Sequence, residues 1–323
     1  MKRVRIGGQA VIEGVMMKNG DKYAVAVRKP DKDIAIDVVE YESIGSKHAF
    51  FRVPIVRGVV NFVESLMIGV KTLMFSASFY EEEEEQTEKA PESEKKANTG
   101  KREADPEKKK KSEDALMIGT VAFSLIFAIA LFMMLPAFIG ELIGKVVKNS
   151  FLMSAVEGVI RLAIFLGYVA VISLMKDIQR VFMYHGAEHK TINCFEAGVP
   201  LTPENVKEYS RYHKRCGTSF LFVVMIISII IFMFIRAKTA WMRLLIRLLL
   251  VPVIAGISYE FIMFAGRSNS CVSNVLSAPG KWLQRLTTRE PELDMIEVAI
   301  ASVEAVIDWK KYQEAMKKGE IED

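Results

Sequence analysis

Residues 116–139 read LMIGTVAFSLIFAIALFMMLPAFI, an unbroken apolar run with no charged side chain. A helix needs ~20 such residues to cross the ~30 Å hydrocarbon core of a bilayer, so this stretch decides the class of fold. Three further runs have comparable character: Phe151 to Met175, Thr218 to Ile235 and Leu244 to Phe264. The second carries Glu157 and Arg161, four residues apart, a spacing that lets a charged pair share one helical face inside a membrane segment. The expectation is a mainly α, polytopic helical membrane protein with a four-helix membrane domain over 115–265.

Working outward, residues 80–114 change composition to a glutamate run followed by lysine-rich sequence with almost no apolar residues, which predicts a disordered charged linker. Upstream, Pro54 opens an apolar stretch, 54–79. Its polar residues Arg57, Asn61, Glu64 and Lys71 fall on one stripe, so this helix is amphipathic or membrane-associated, and the stripe could meet a partner membrane protein. Residues 1–50 predict a small β-rich unit. Lys22 to Arg28 and Asp33 to Tyr41 are rich in valine and isoleucine and are separated by Lys29-Pro30-Asp31, the pattern of a hairpin. Gly7, Gly8 and Gly14 suggest tight turns around Glu13. At the other end, 266–323 forms a C-terminal segment, where Leu293, Ile296, Ile300, Val303 and Ile307 recur at helical spacing and predict one amphipathic helix from Pro291 to Lys318.

The chain is 51% hydrophobic, with mean hydropathy +0.21 and a net charge of only +4. Met1 to Arg5 is basic, but the sequence after it is short, glycine-containing and interrupted by Glu13, unlike the apolar core of a cleavable signal. No basic, aromatic-laced stripe suits nucleic acid. Cys194, Cys216 and Cys271 form no C-x-x-C pair and are expected as reduced thiols. Lys108 to Lys111 precede the first span, and the loop from Lys176 to Arg215 carries seven basic residues. This pattern predicts a multi-pass protein of the cell membrane with that loop, the β unit and the C-terminus cytoplasmic. Arg236, Lys238, Arg243 and Arg247 run against it, and a crossing at 54–79 would move the β unit outside.

The loop 176–217 holds the chemistry. His185-Gly-Ala-Glu188-His189 places two imidazoles four residues apart on one helical face beside a carboxylate, and H-x-x-E-H is one of the zinc-hydrolase arrangements. Lys176 to Glu196 predicts a helix continuing the second span, stopped by Gly198 and Pro200. Thr202 and Pro203 then open a second short helix, running to about Gly217, that presents His213 and Cys216 on one side. The candidate ligands of a divalent metal, expected to be zinc, are therefore His185 and His189, with His213, Cys216 or Glu260 completing the set and Glu188 as general base. Metal-assisted hydrolysis is the expected reaction class. A non-enzymatic membrane factor or complex subunit with structural histidines is the other reading, while too few helices and no inverted repeat disfavour a transporter.

Three segments together resemble one bacterial membrane-protein family, the YqhQ-like domain of unknown function: GGQAVIEGVMM at 7–17, HGAEHK at 185–190 and PGKWLQRLTTREP at 279–291. The resemblance covers nearly the whole chain except the charged linker. It implies an inner-membrane protein, labelled a predicted metal-dependent enzyme on the strength of the same histidines. It also implies that the glycine-rich start and the Trp282 segment assemble near the histidine loop.

Overall fold

A computed structural model describes residues 4, 6–87, 119–144, 149–235, 239–265 and 271–320. They fall into two compact units, one of Met1–Glu84, Tyr168–Ser228 and Leu248–Asp323, the other of Glu85–Gly167 and Ile229–Arg247. The expected linker lies outside the described residues from 88 onward.

The first unit is built on a four-stranded antiparallel meander in the order β1 (Gly7–Val11), β2 (Gly14–Asn19), β3 (Lys22–Arg28) and β4 (Ile34–Glu40). The hairpin expected from Lys22 onward is there as β3 and β4, with Val25 opposite Asp37. It is joined by β1 and β2, which the sequence did not announce. Their turn is Ile12-Glu13, closed by Val11 opposite Gly14, and Glu13 takes a left-handed φ of 49°. A side chain at Gly14 would come within 2.4 Å of the Ala26 carbonyl, so the strand pair tolerates only glycine there.

Both sheet faces are covered. Val15, Met17, Ala24 and Ala26 point to a core shared with α4 (Lys176–Glu196), α9 (Leu293–Val306) and α10 (Trp309–Lys317). The small Ala24 and Ala26 let α9 approach closely enough for Ser302 Oγ to donate to the Ala24 carbonyl at 3.0 Å. On the other face Val11, Met16, Tyr23, Val25 and Val27 pack with Ile68, Phe75, Phe79 and Tyr80 of the long helix α1 (Val56–Thr87). The polar stripe of α1 is largely engaged inside the unit. Arg57 pairs with Glu260, Asn61 Nδ2 donates to Tyr259 Oη at 3.0 Å, and buried Glu64 accepts from the Ile44 amide at 2.6 Å and from Ser43 Oγ at 2.9 Å, while Lys71 is exposed.

Apolar helices make up the rest. Among the described residues, four are long and apolar enough to cross a membrane: Val56–Tyr80 within α1, α2 (Gly119–Ile143), Phe151–Ile172 within α3 (Ser150–Ile172), and Trp241–Ala265 within α7 (Ala240–Ala265). The expected span at Thr218 is the shorter α6 (Gly217–Met233). In the second unit, buried Glu157 receives a two-pronged contact from Arg247, and Arg161 stands 3.8 Å away. The in-helix pair read from sequence is thus the weaker half of a triad, and both guanidinium groups lie over the Phe232 ring.

Three further expectations are corrected. Residues Ser173 to Met175 turn between α3 and α4, so α4 is a separate helix. The helix opened by Thr202, which does cap it, is only α5 (Pro203–Lys207), because Ser210 to Cys216 is irregular and Gly217 begins α6. The C-terminal amphipathic stretch is likewise two helices, broken at Ile307 and capped anew by Asp308.

Candidate metal centre

Helix α4 is enclosed along its second half, with Tyr184, Ala187, Ile192 and Phe195 in the sheet core and the opposite side turned to α8 (Cys271–Thr287) and the segment 210–216. Gly186 permits this enclosure. A Cβ there would meet the Arg289 carbonyl at 2.0 Å, and the Arg289 amide donates to Phe182 O at 2.8 Å, so the chain after α8 runs directly across the helix. A mid-helix glycine costs about 1 kcal/mol against alanine, offset here by that close approach.

The polar residues of this buried stretch are individually held. His185 Nδ1 donates to the Thr287 carbonyl at 2.8 Å and His189 Nδ1 to the Arg211 carbonyl at 2.7 Å, since a carbonyl can only accept. Each ring is thereby oriented with Nε2 inward. His185 Nε2 lies 3.2 Å from Cys216 Sγ, and His189 Nε2 is buried with no hydrogen-bond partner. His185, His189 and Cys216 each bring one ligand atom into a group whose members all lie within 4.8 Å of one another. Ring carbonyl partners of this kind recur around metal-ligating histidines, where they fix the tautomer and orient the lone pair.

Glu188 stands against the strand beside this group. Its Cγ would sit 2.8 Å from a Cβ on Gly8, so β1 presses directly on the carboxyl-bearing chain. Burial raises the Glu188 pKa, with the two histidines acting in the opposite direction. For His185, burial favours the neutral ring, but the adjacent Cys216 thiolate outweighs it and lifts the pKa to about 9. Burial raises the Cys216 thiol and the facing histidines more than reverse this, leaving it well below the ordinary thiol range.

The remaining sequence candidates stand elsewhere. His213 has its ring centroid 5.7 Å from that of His189 and its Nε2 3.5 Å from Glu196, which also pairs with Arg215. Burial works against the Glu196 charge, but these two partners hold its pKa at about 2. Glu260 is paired with Arg57 and is not among the grouped ligand atoms. Sequence reasoning missed the support. Gln284, fully buried, accepts from the His213 amide at 2.9 Å and donates to the His213 carbonyl and to Ser219 Oγ, both at 2.8 Å. It pins the segment carrying Arg211 and Cys216 to α8, and the Thr218 hydroxyl lies 3.1 Å from Cys216 Sγ. Lys190 Nζ donates to the Lys207 and Tyr209 carbonyls at 2.8 Å and pairs with Glu290 at 3.0 Å. Glu13, from the β1–β2 turn, receives Arg180 and the Tyr184 hydroxyl, the latter at 3.2 Å. The three segments that carry the resemblance therefore converge on one place.

Fold and site define a helical protein with apolar helices long enough to cross a membrane and a β-sheet unit enclosing a His-His-Cys cluster. The family described as "Protein of unknown function (DUF1385)" matches residues 53–309. The uncharacterized protein YqhQ of Bacillus subtilis (strain 168) is 32% identical over 313 residues, 97% of this chain and 95% of that protein. The chain belongs to this family. No solved structure matches it.

Proposed function

We propose that the chain is a metal-dependent hydrolase of the cell membrane, with its centre at the cytoplasmic face. The observation that carries the reading is the convergence of His185, His189 and Cys216, with both Nδ1 atoms committed to carbonyls and the buried His189 Nε2 left with its lone pair free. Imidazole nitrogen and thiolate sulfur are donors that zinc takes, and with three protein ligands a coordination position would remain for water, as in catalytic sites. A divalent ion held there supplies a Lewis acid that polarises a substrate oxygen and acidifies water.

The chain's own residues supply the rest. Glu188, with its pKa raised by burial, takes a proton from attacking water and returns it to the leaving group. Thr287 and Arg211 hold the two imidazoles through their carbonyls, and Gln284 keeps the Cys216 segment against α8. The basic loop 176–217 supports the cytoplasmic assignment. A role in contacting a partner helix through Arg57, Asn61 and Glu64 is less well supported, because those side chains are engaged within the chain.

Elemental analysis of the purified full-length chain tests this reading. It should find close to one zinc or similar ion per chain, lost in H185A and H189A and retained in E188Q, and only the E188Q protein should then be metal-loaded yet inactive against ester, amide and phosphoester probes. Folded protein that stays metal-free after incubation with zinc would remove it.

A further inference from the structure

Helix α1 contains a segment, Val56–Tyr80, with the length and hydropathy of a membrane span. Its contacts describe something else. Near its start, Gly58 packs on Gly256 and Tyr259 of α7, Asn61 reaches Tyr259, and the Phe62 and Phe220 rings lie 5.6 Å apart. From the next turn on, the same helix belongs to the sheet. Glu64 is hydrogen-bonded to Ser43 and Ile44 just past β4, a Cβ on Gly69 would meet the Gln9 side chain of β1 at 2.7 Å, and the Tyr80 hydroxyl donates to the Arg28 carbonyl at the end of β3.

The contacts with α6 and α7 named above span about two turns of α1, ~10 Å of rise, far less than the ~30 Å that a crossing requires. Nor can the sheet itself enter the hydrocarbon. Its turns carry Asp21, Lys29, Asp31, Lys32 and Asp33, and its edge strands present backbone groups that lipid cannot satisfy.

The opposite side of α1 is apolar and open. Val63, Leu66, Met67, Val70, Leu73 and Met74 are each more than two-fifths exposed, and their spacing places them on one stripe. The buried stripe of Glu64, Ile68, Thr72 and Ser76 lies diametrically across the helix axis, against the sheet. The apolar stripe starts one residue after Phe62, the last residue named against α6 and α7, and in the same unit Leu248, Leu249 and Val253 of α7 are exposed as well.

We infer that α1 does not cross the bilayer but lies in its surface, with the Val63-to-Met74 stripe in lipid and the Ile68 side clamped to the β-sheet. Residues on either side of α1 then remain on one side of the membrane, and β1, with Gly8 against Glu188, is held at the lipid boundary. This inference does not depend on a metal being bound.

Single cysteines test it in full-length C271S protein in sealed, oriented vesicles. D31C, between β3 and β4, and S93C, beyond α1, should react with a membrane-impermeant maleimide from the same side; reaction from opposite sides would overturn the inference. Spin labels at V63C, M67C, V70C and M74C should be reached by oxygen in preference to a water-soluble nickel complex, all at similar shallow depth. A steady increase in depth along the series, as for a crossing helix, or preferential access by the nickel complex would equally overturn it.

Discussion

Gly8 and Glu188 touch across the junction of β1 and α4: a single carbon added to Gly8 would lie 2.8 Å from Glu188 Cγ and 2.9 Å from Oε1. The strand therefore sets the position of the carboxyl group beside the cluster. Substituting G8A should force Glu188 aside at a stability cost of ~1–3 kcal/mol, the usual range for overpacking a filled site. Thermal unfolding should shift downward accordingly while metal content stays near that of the parent, because no ligand is altered. An unchanged melting temperature would mean that Glu188 moves freely.

Metal uptake should release protons with a definite pH dependence. The Cys216 charge lifts His185 to about 9, so below that pH the imidazole holds a proton that an incoming ion must displace. Zinc affinity should then fall as pH decreases, by about tenfold per pH unit for one displaced proton. Calorimetry near pH 7.5 in two buffers of different ionisation enthalpy should report about one proton released per zinc bound, and a buffer-independent enthalpy would refute this.

Gln284 makes three hydrogen bonds from a fully buried side chain, all to groups near the Cys216 segment. Removing it in Q284A should cost about 1–3 kcal/mol for each buried group left without a partner. The more diagnostic effect is on the centre: zinc should dissociate faster from Q284A than from parent protein, although all three ligands are intact. Equal dissociation rates would make Gln284 a packing residue only.

In the second unit, Glu157 is the carboxylate shared by Arg161 and Arg247, and all three side chains are at most 5% exposed. E157Q should destabilise the protein by roughly 3–5 kcal/mol, since breaking a buried pair leaves uncompensated charge. R161M should be far milder, because Arg247 retains the two-pronged contact. Detergent-phase thermal denaturation of the two variants gives the comparison, and an R161M loss equal to that of E157Q would contradict the assignment.

Much of this was legible in the sequence, and the exceptions have physical causes. The β3–β4 hairpin follows from valine and isoleucine alternation around Lys29-Pro30-Asp31. β1 and β2 were hidden because β2 is buried on both faces, so Val15-Met16-Met17 shows no alternation, and because β1 is rich in small residues. His185, His189 and Cys216 could be nominated from chemistry and spacing, but the groups that orient them are the carbonyls of Thr287 and Arg211, which every residue type carries. Arg57 with Glu260 and Arg247 with Glu157 are 203 and 90 residues apart, beyond the reach of helical spacing, so sequence offered Glu260 as a ligand and Arg161 as the partner of Glu157.

The central claim is that His185, His189 and Cys216 hold one metal ion. X-ray absorption at the zinc edge of zinc-loaded, full-length protein tests it most directly: the account predicts two imidazole nitrogens at ~2.0 Å and one sulfur at ~2.3 Å, with the sulfur contribution absent in C216S. A spectrum of oxygen neighbours alone, or one unchanged by C216S, would contradict it.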